Sequence, residues 1–337
     1  MKQVVTIASG VFSITNTELP KLGNNDILAE VKSSGICGSD LSIHRSPNFP
    51  GKLELPCVLG HEWSGKVIAI GSSVNNFSIG DRIVSEEIFW CGECENCRMG
   101  AFDFCKNALE LGFTIDGAHS THVRIPSKFC HKLPSKISYD VGALIEPLSV
   151  AYNGIYLAGK GISPGKKVLI IGLGPIGLSA ALWARASGAL VFGIDPNSYR
   201  RELAKKNGFN TFDSNKIEEV QDILQNIDLL VEASGIHDEI SNFLDFMATK
   251  ATIVVLGHST DKIVFNMEQV VLKGITVVGN CGQIGHNTYK YVINALKYKI
   301  IDPSFMITNK YNLSDVENVF DFALKNDNYC KIQFDME

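Results

Sequence analysis

Two hydrophobic rhythms divide this 337-residue chain. Up to about residue 148, short apolar runs are cut by glycine turns and prolines, as in Ile27–Val31, Gly65–Ile70 and Asp81–Val84. Runs of that length between turn residues read as strands and predict a Greek-key or barrel-like β domain. From about residue 150 the rhythm changes. Strand-like runs at Lys167–Ile171, Leu190–Asp195, Asp228–Glu232 and Thr252–Leu256 enclose helical stretches at Ile176–Ser187 and Tyr199–Asn207. That alternation predicts a parallel, doubly wound sheet. Past residue 285 two more helices are expected, near Asn287–Lys299 and Ser314–Lys325, the second opened by a Ser314…Glu317 capping box. The final Cys330–Phe334 reads as a strand with no partner nearby in sequence, returning to the first domain. The expected division is therefore 1–148, 149–285 and 286–337.

Composition narrows the class. With 45% hydrophobic residues and a mean hydropathy of +0.09, the chain can bury the core of a soluble enzyme. A net charge of −5 gives no basic field, which argues against nucleic acid and anionic membranes as partners. The one membrane-like run, Val168–Ala184, is interrupted by Gly172, Gly174, Pro175 and Gly177, so a buried strand–turn–helix is expected there. Met1–Val5 opens as a strand without the features of a signal peptide. Cys37, Cys57, Cys130, Cys281 and Cys330 show no paired spacing, and a cytoplasmic protein with reduced thiols is expected.

Gly172-Leu173-Gly174-Pro175-Ile176-Gly177 follows a predicted strand and opens a predicted helix, the context a dinucleotide fingerprint requires. Gly172 permits the tight turn, Gly174 lets the backbone approach a pyrophosphate, and Gly177 lets helix and strand pack closely. The helix N-terminus then meets the phosphates. Asp195, at the end of the next strand, can accept both ribose hydroxyls of NAD and would repel the 2′-phosphate of NADP. Arg200 and Arg201 are the cations that could hold such a phosphate, or else an ordinary helix surface; the motif favours NAD.

Cys91, Cys94, Cys97 and Cys105 are spaced C-x2-C-x2-C-x7-C. Two-residue gaps let a turn aim successive sulfurs at one tetrahedral ion, which favours a structural zinc over a disulfide framework. A four-thiolate iron–sulfur centre shares the spacing. Four thiolates leave no open coordination position, so the chemistry is expected elsewhere. Cys37, His61, Glu62 and Glu146 together offer thiolate, imidazole and carboxylate, a mixed set that suits zinc with one exchangeable position.

These segments, in this order, resemble the zinc-dependent medium-chain alcohol dehydrogenase family along essentially the whole chain. The resemblance implies a GroES-like β-barrel catalytic domain beside a Rossmann domain, two zinc ions per chain, and NAD. It implies Cys37, His61 and Glu146 as zinc ligands, Glu62 as an interchangeable ligand, Asp40 as the carboxylate orienting His61, and Ser39 as the hydroxyl passing the alcohol proton outward. It implies that Val231–Gly235 and Gly279–Gly282 line the cofactor. It also implies a homodimer or homotetramer, for which the apolar run Lys273–Gly279 offers an edge strand.

Glu146, in Ile145-Glu146-Pro147-Leu148, is similar to the sorbitol, threonine and galactitol-phosphate members. Cys37–Ser42, Gly60–Gly65 and Glu110–Gly117 are similar to the 2-deoxy-scyllo-inosamine dehydrogenases. The implied reaction is reversible oxidation of a secondary alcohol of a polyol, cyclitol or amino-cyclitol to a ketone, with sorbitol-, threonine- or sugar-alcohol-phosphate oxidation as alternatives. The intact ligand set argues against a silent binding protein on the same fold. The chain departs from the family in two places. Ser42 stands where many members carry a relay histidine, leaving His44 as a relay or a surface residue. Thr121-His122 stand where relatives usually have Glu-Tyr, and His119 in the same stretch is either a pocket residue or a structural one. Glu86 and Glu87, just before the four-cysteine loop, are candidate substrate contacts, with Glu86 the acid expected to meet an amine.

Overall fold

The computed structural model describes residues 1–46, 52–260, 262–282 and 285–336. In the strand Lys167–Ile171, Val168 and Ile170 pack with Leu178 and Trp183, while Leu169 and Ile171 pack with Ile194, Leu230 and Phe243. Both faces of the strand are apolar, so the sheet must be covered on both sides, which is the condition for an all-parallel sheet. The helix Pro175–Ala186 supplies one cover and the 3-10 segment His237–Phe246 the other. The six parallel strands lie in the order Asn210–Phe212, Leu190–Ile194, Lys167–Ile171, Ile227–Glu232, Met247–Val255, Thr276–Gly279. Counted by sequence this is 3-2-1-4-5-6, the doubly wound dinucleotide-binding order.

The first domain is a GroES-like β domain whose larger sheet runs Cys130–Lys132, Arg82–Ser85, Glu62–Ile70, Asp26–Gly35, Lys331–Asp335, Ile307–Asn312. His122–Pro126 also pairs with Asp26–Gly35. Alternate positions Ile27, Ala29 and Val31 meet Trp63 and Val67 in its core, as period-2 patterning requires. The helix Ile145–Tyr152 passes from this domain to the next, and Trp183 Nε1 donates to Leu148 O at 2.9 Å. Among the described residues no helix is long and apolar enough to cross a membrane.

The C-terminal strand does return to the first domain, with Gln333 opposite Gly35. Two details of the sequence reading are corrected. The strand has a parallel neighbour close in sequence, Ile307–Asn312, whose polar residues Asn309, Lys310 and Asn312 hide its strand character. The Ser314…Glu317 capping box does not form. Buried Leu313 anchors a 3-10 turn over Leu313–Asp315, so the helix begins at Val316 with Asp315 as its N-cap.

Candidate active site

Strand register builds the reactive centre. Gly35 lies opposite Glu62 in the antiparallel pair, so Cys37, two residues on, comes against His61 and Glu62. Gly35 must be glycine, because a Cβ there would lie 2.4 Å from Glu62 Oε2. Gly60 turns the chain into His61 at φ +96°, and a Cβ on it would meet the His119 ring at 2.5 Å. The ligand atoms of Cys37, His61 and Glu62 all lie within 4.8 Å of one another. Glu146 stands on the helix Ile145–Tyr152, 6% exposed, beside this trio and outside that convergence.

The charges describe a site made for a cation. Burial, and then the negative charges of Glu87, Glu62 and Cys37, push Glu146 well above the usual carboxylate range. Burial alone would lower His61, but Glu87, Cys37 and Asp40 around it raise its pKa well above the ordinary value. A thiol, an imidazole and a carboxylate held this close could hold a metal ion, and the mixed donor set is one that suits zinc.

Asp40 is fully buried; its Oδ2 accepts the Cys37 N–H at 2.9 Å and stands 3.6 Å from His119 Nε2. Its Oδ1 faces His61 Nδ1 at 4.0 Å, and neither atom has a hydrogen-bond partner. His119 is buried and bonds Ser34 Oγ through Nδ1 at 2.9 Å, which makes it a companion of Asp40. Ser39 Oγ is buried without a partner. Ser42 is exposed and donates to Gly38 O. The surface reading of His44 is corrected: it is half-buried, stacked on Phe12 at 4.7 Å and near Phe320 at 5.3 Å, and burial lowers its pKa.

The expectation for Glu86 is also corrected. Its Oε1 faces His131 Nε2 at 3.0 Å, whereas Glu87 Oε2 lies 3.7 Å from His61 Nε2. The chain bends between the strands Arg82–Ser85 and Ile88–Phe89, and the two neighbours turn to different partners, so Glu87 is the acid beside Cys37, His61 and Glu62. Sequence reasoning missed one residue altogether. Lys331, 2% exposed, donates to both carboxylate oxygens of Glu62 at 2.7 Å and to Ile36 O at 3.0 Å. The signal was the alternation Lys331-Ile332-Gln333-Phe334, which sets two polar side chains on one face of a buried strand.

The four-cysteine loop forms its own small lobe. Sulfur separations are 3.5 Å for Cys91–Cys105, 3.9 Å for Cys94–Cys105 and 4.0 Å for Cys91–Cys97. Tetrahedral zinc with Zn–S near 2.3 Å sets sulfurs about 3.8 Å apart, whereas a disulfide needs about 2.05 Å. The cysteines are free thiols. The backbone N–H groups of Glu93 and Cys94 point at Cys91 and lower its pKa to about 6, favouring the thiolate that binds metal.

At the nucleotide fingerprint, Gly172 adopts φ +88°, and a Cβ on Gly177 would lie 1.8 Å from Gly172 O. A Cβ on Gly174, the N-cap of the helix Pro175–Ala186, would meet only Arg200 Nη1 at 4.0 Å, so the phosphate approach is open. Asp195, 3% exposed, accepts the Leu173 N–H through Oδ2 and the Asn197 N–H through Oδ1, both at 2.8 Å. Arg200 Nη1 lies 4.0 Å from Asp195, and its Nε is buried without a partner. Arg201 is committed to the carbonyls of Asp195 and Pro196 and to Asp213 at 3.0 Å. Glu232 Oε1 accepts from Ser234 and Gly235 and shapes the neighbouring turn.

Comparison with known proteins agrees with this geometry. Residues 23–135 match the alcohol dehydrogenase GroES-like domain, and residues 175–297 match zinc-binding dehydrogenase. An L-threonine 3-dehydrogenase of Colwellia psychrerythraea is 34% identical over 91% of this chain and 92% of its own. Among solved structures, galactitol-1-phosphate dehydrogenase from Escherichia coli superposes with a TM-score of 0.92 at 25% identity, over 100% of both chains. The 2R,3R-butanediol dehydrogenase of Bacillus subtilis gives 0.91 at 25%, over 100% of this chain and 99% of its own. With both domains matched and a relative 34% identical along nine-tenths of its length, the chain belongs to the zinc-dependent medium-chain alcohol dehydrogenase family and is an oxidoreductase acting on CH–OH donors.

Proposed function

We propose that this enzyme reversibly oxidises a secondary alcohol of a polyol, cyclitol or amino-cyclitol to a ketone, with NAD and two zinc ions per chain. The observation that carries the substrate class is the group of acids around His61. Glu87 lies 3.7 Å from His61, and Glu110 is close enough to feel the His61 charge. Carboxylates beside the reacting carbon suit a substrate with several hydroxyls or an ammonium group. Cys37 and His61, with Glu62 or Glu146, would hold the catalytic zinc, and Cys91, Cys94, Cys97 and Cys105 the structural one. When bound, zinc supplies Lewis acidity to the substrate hydroxyl and NAD accepts the hydride. Ser39, whose buried hydroxyl lacks a partner, takes the alcohol proton and passes it outward. Asp40 holds the Cys37 turn and faces His61, so the two ligands keep one geometry.

Threonine is the second reading, favoured by the 34% identical relatives. Its carboxylate would meet like charge beside His61. Glu87→Gln should raise KM several-fold for an amino-bearing substrate and less for its hydroxyl analogue; equal effects on both would remove the amine contact.

Gly172, Gly174, Pro175, Ile176 and Gly177 would receive the pyrophosphate and Asp195 the ribose hydroxyls of NAD. Since Arg201 is committed elsewhere, Arg200 is the cation that could admit NADP. Asp195→Ser should narrow the preference for NAD by removing repulsion toward a 2′-phosphate. Comparable kcat/KM for both cofactors in the unmodified enzyme would contradict this.

A homodimer or homotetramer is part of the proposal. Thr276–Gly279 is an edge strand, and Met267, Val271 and Leu272 stand exposed before it. A cytoplasmic location is proposed from the free cysteines.

A further inference from the structure

Glu62 is held in two ways at once. Its carboxylate belongs to the cluster with Cys37 and His61. Both of its oxygens also receive hydrogen bonds from the Lys331 ammonium at 2.7 Å, in an ion pair whose members are 2% and 1% exposed. Lys331 is fixed in turn by Ile36 O, the carbonyl directly before Cys37. A buried ammonium with no charged partner would be costly, so Glu62 is its counter-ion as much as a candidate ligand.

We propose that Lys331 is a positioning residue that competes with the metal for Glu62 and so keeps one coordination position exchangeable. The inference rests on Cys37, His61 and Glu62 being the catalytic metal site. The physical route is through Glu62 itself: an ammonium 2.7 Å from the carboxylate withdraws electron density and lone pairs that the metal would otherwise take. Weak retention of Glu62 is what a site needs if substrate oxygen is to enter and leave. The C-terminal strand, 269 residues away in sequence, is thereby part of the reactive centre.

The test is the rate at which a chromogenic chelator removes zinc from the holoenzyme, with the four-cysteine zinc as internal reference. Lys331→Met should slow loss of the catalytic metal on the order of tenfold, the scale of supporting partners at metal sites, while Lys331→Arg stays near the unmodified rate. Unchanged or faster loss in Lys331→Met overturns the proposal. The pair Glu62→Gln and Glu62→Gln/Lys331→Met checks the route, the double variant burying neither member of the ion pair as a lone charge. Equal rates show that Lys331 acts through Glu62; a further change on adding Lys331→Met shows that it does not, and overturns the proposal. If the unmodified protein yields only the four-cysteine zinc, the catalytic-metal reading itself fails; a second metal whose release ignores Lys331 removes the positioning role alone.

Discussion

Cys37→Ser is expected to leave a folded protein without measurable turnover. Cys37 lies just past the strand Asp26–Gly35, half-buried, and its backbone N–H is already held by Asp40. The substitution is nearly isosteric and removes no large apolar contact, so the melting temperature should stay close to that of the unmodified protein. The chemistry changes far more, because a serine hydroxyl does not replace a thiolate as a zinc ligand. Losing a mere supporting partner of a ligand costs about 10–100-fold, and losing the ligand itself should cost more. NADH-linked turnover beside a thermal melt reads both halves. A variant that keeps more than a few per cent of the activity would remove Cys37 from the reactive centre.

Cys94→Ser should have the opposite profile, a large loss of stability with the intrinsic chemistry much less altered. The loop lobe is packed by little more than Ile88, Cys97, Cys105 and Ala108, with Trp90 and Phe102 alongside. So small an apolar cluster cannot offset the cost of ordering the fifteen residues from Cys91 to Cys105, about 1–2 kcal/mol each. Zinc on the four thiolates supplies the missing stabilisation, as metal does when it folds a small domain. Removing one thiolate weakens that lobe, and a loss of about 3 kcal/mol would lower Tm by roughly 4 °C for a chain of this length. Elemental analysis should find close to one zinc per chain in place of two. An unchanged melt with two zincs retained would contradict the structural role.

The cofactor site was legible because it is local. Gly172 to Gly177 are contiguous, so spacing alone encodes the turn, the open phosphate approach and the close helix–strand contact that the structure contains. The four-cysteine lobe is legible for the same reason. Cys37, His61 and Glu62 come from the ends of two strands distant in sequence, and only resemblance to a family, not spacing, could join them. Glu86 and Glu87 show the limit of a linear reading: the acidic pair was visible, but which member faces His61 depends on how the chain bends between the strands Arg82–Ser85 and Ile88–Phe89. The alternation around Lys331 marked a polar face on a buried strand, but its role was not legible, because its partner Glu62 lies across a strand register set by the whole first domain. The edge strand Ile307–Asn312 was missed because its residues are polar, and its pairing with Lys331–Asp335 stabilises it in spite of them.

The account stands most directly on a substrate panel. Freshly purified holoenzyme should be offered vicinal diols, cyclitols, amino-cyclitols, threonine and ethanol with NAD, and NADH formation followed by absorbance. The account predicts the highest kcat/KM on a cyclitol, amino-cyclitol or vicinal diol, with ethanol far poorer. Ethanol as the best substrate of the panel would contradict it.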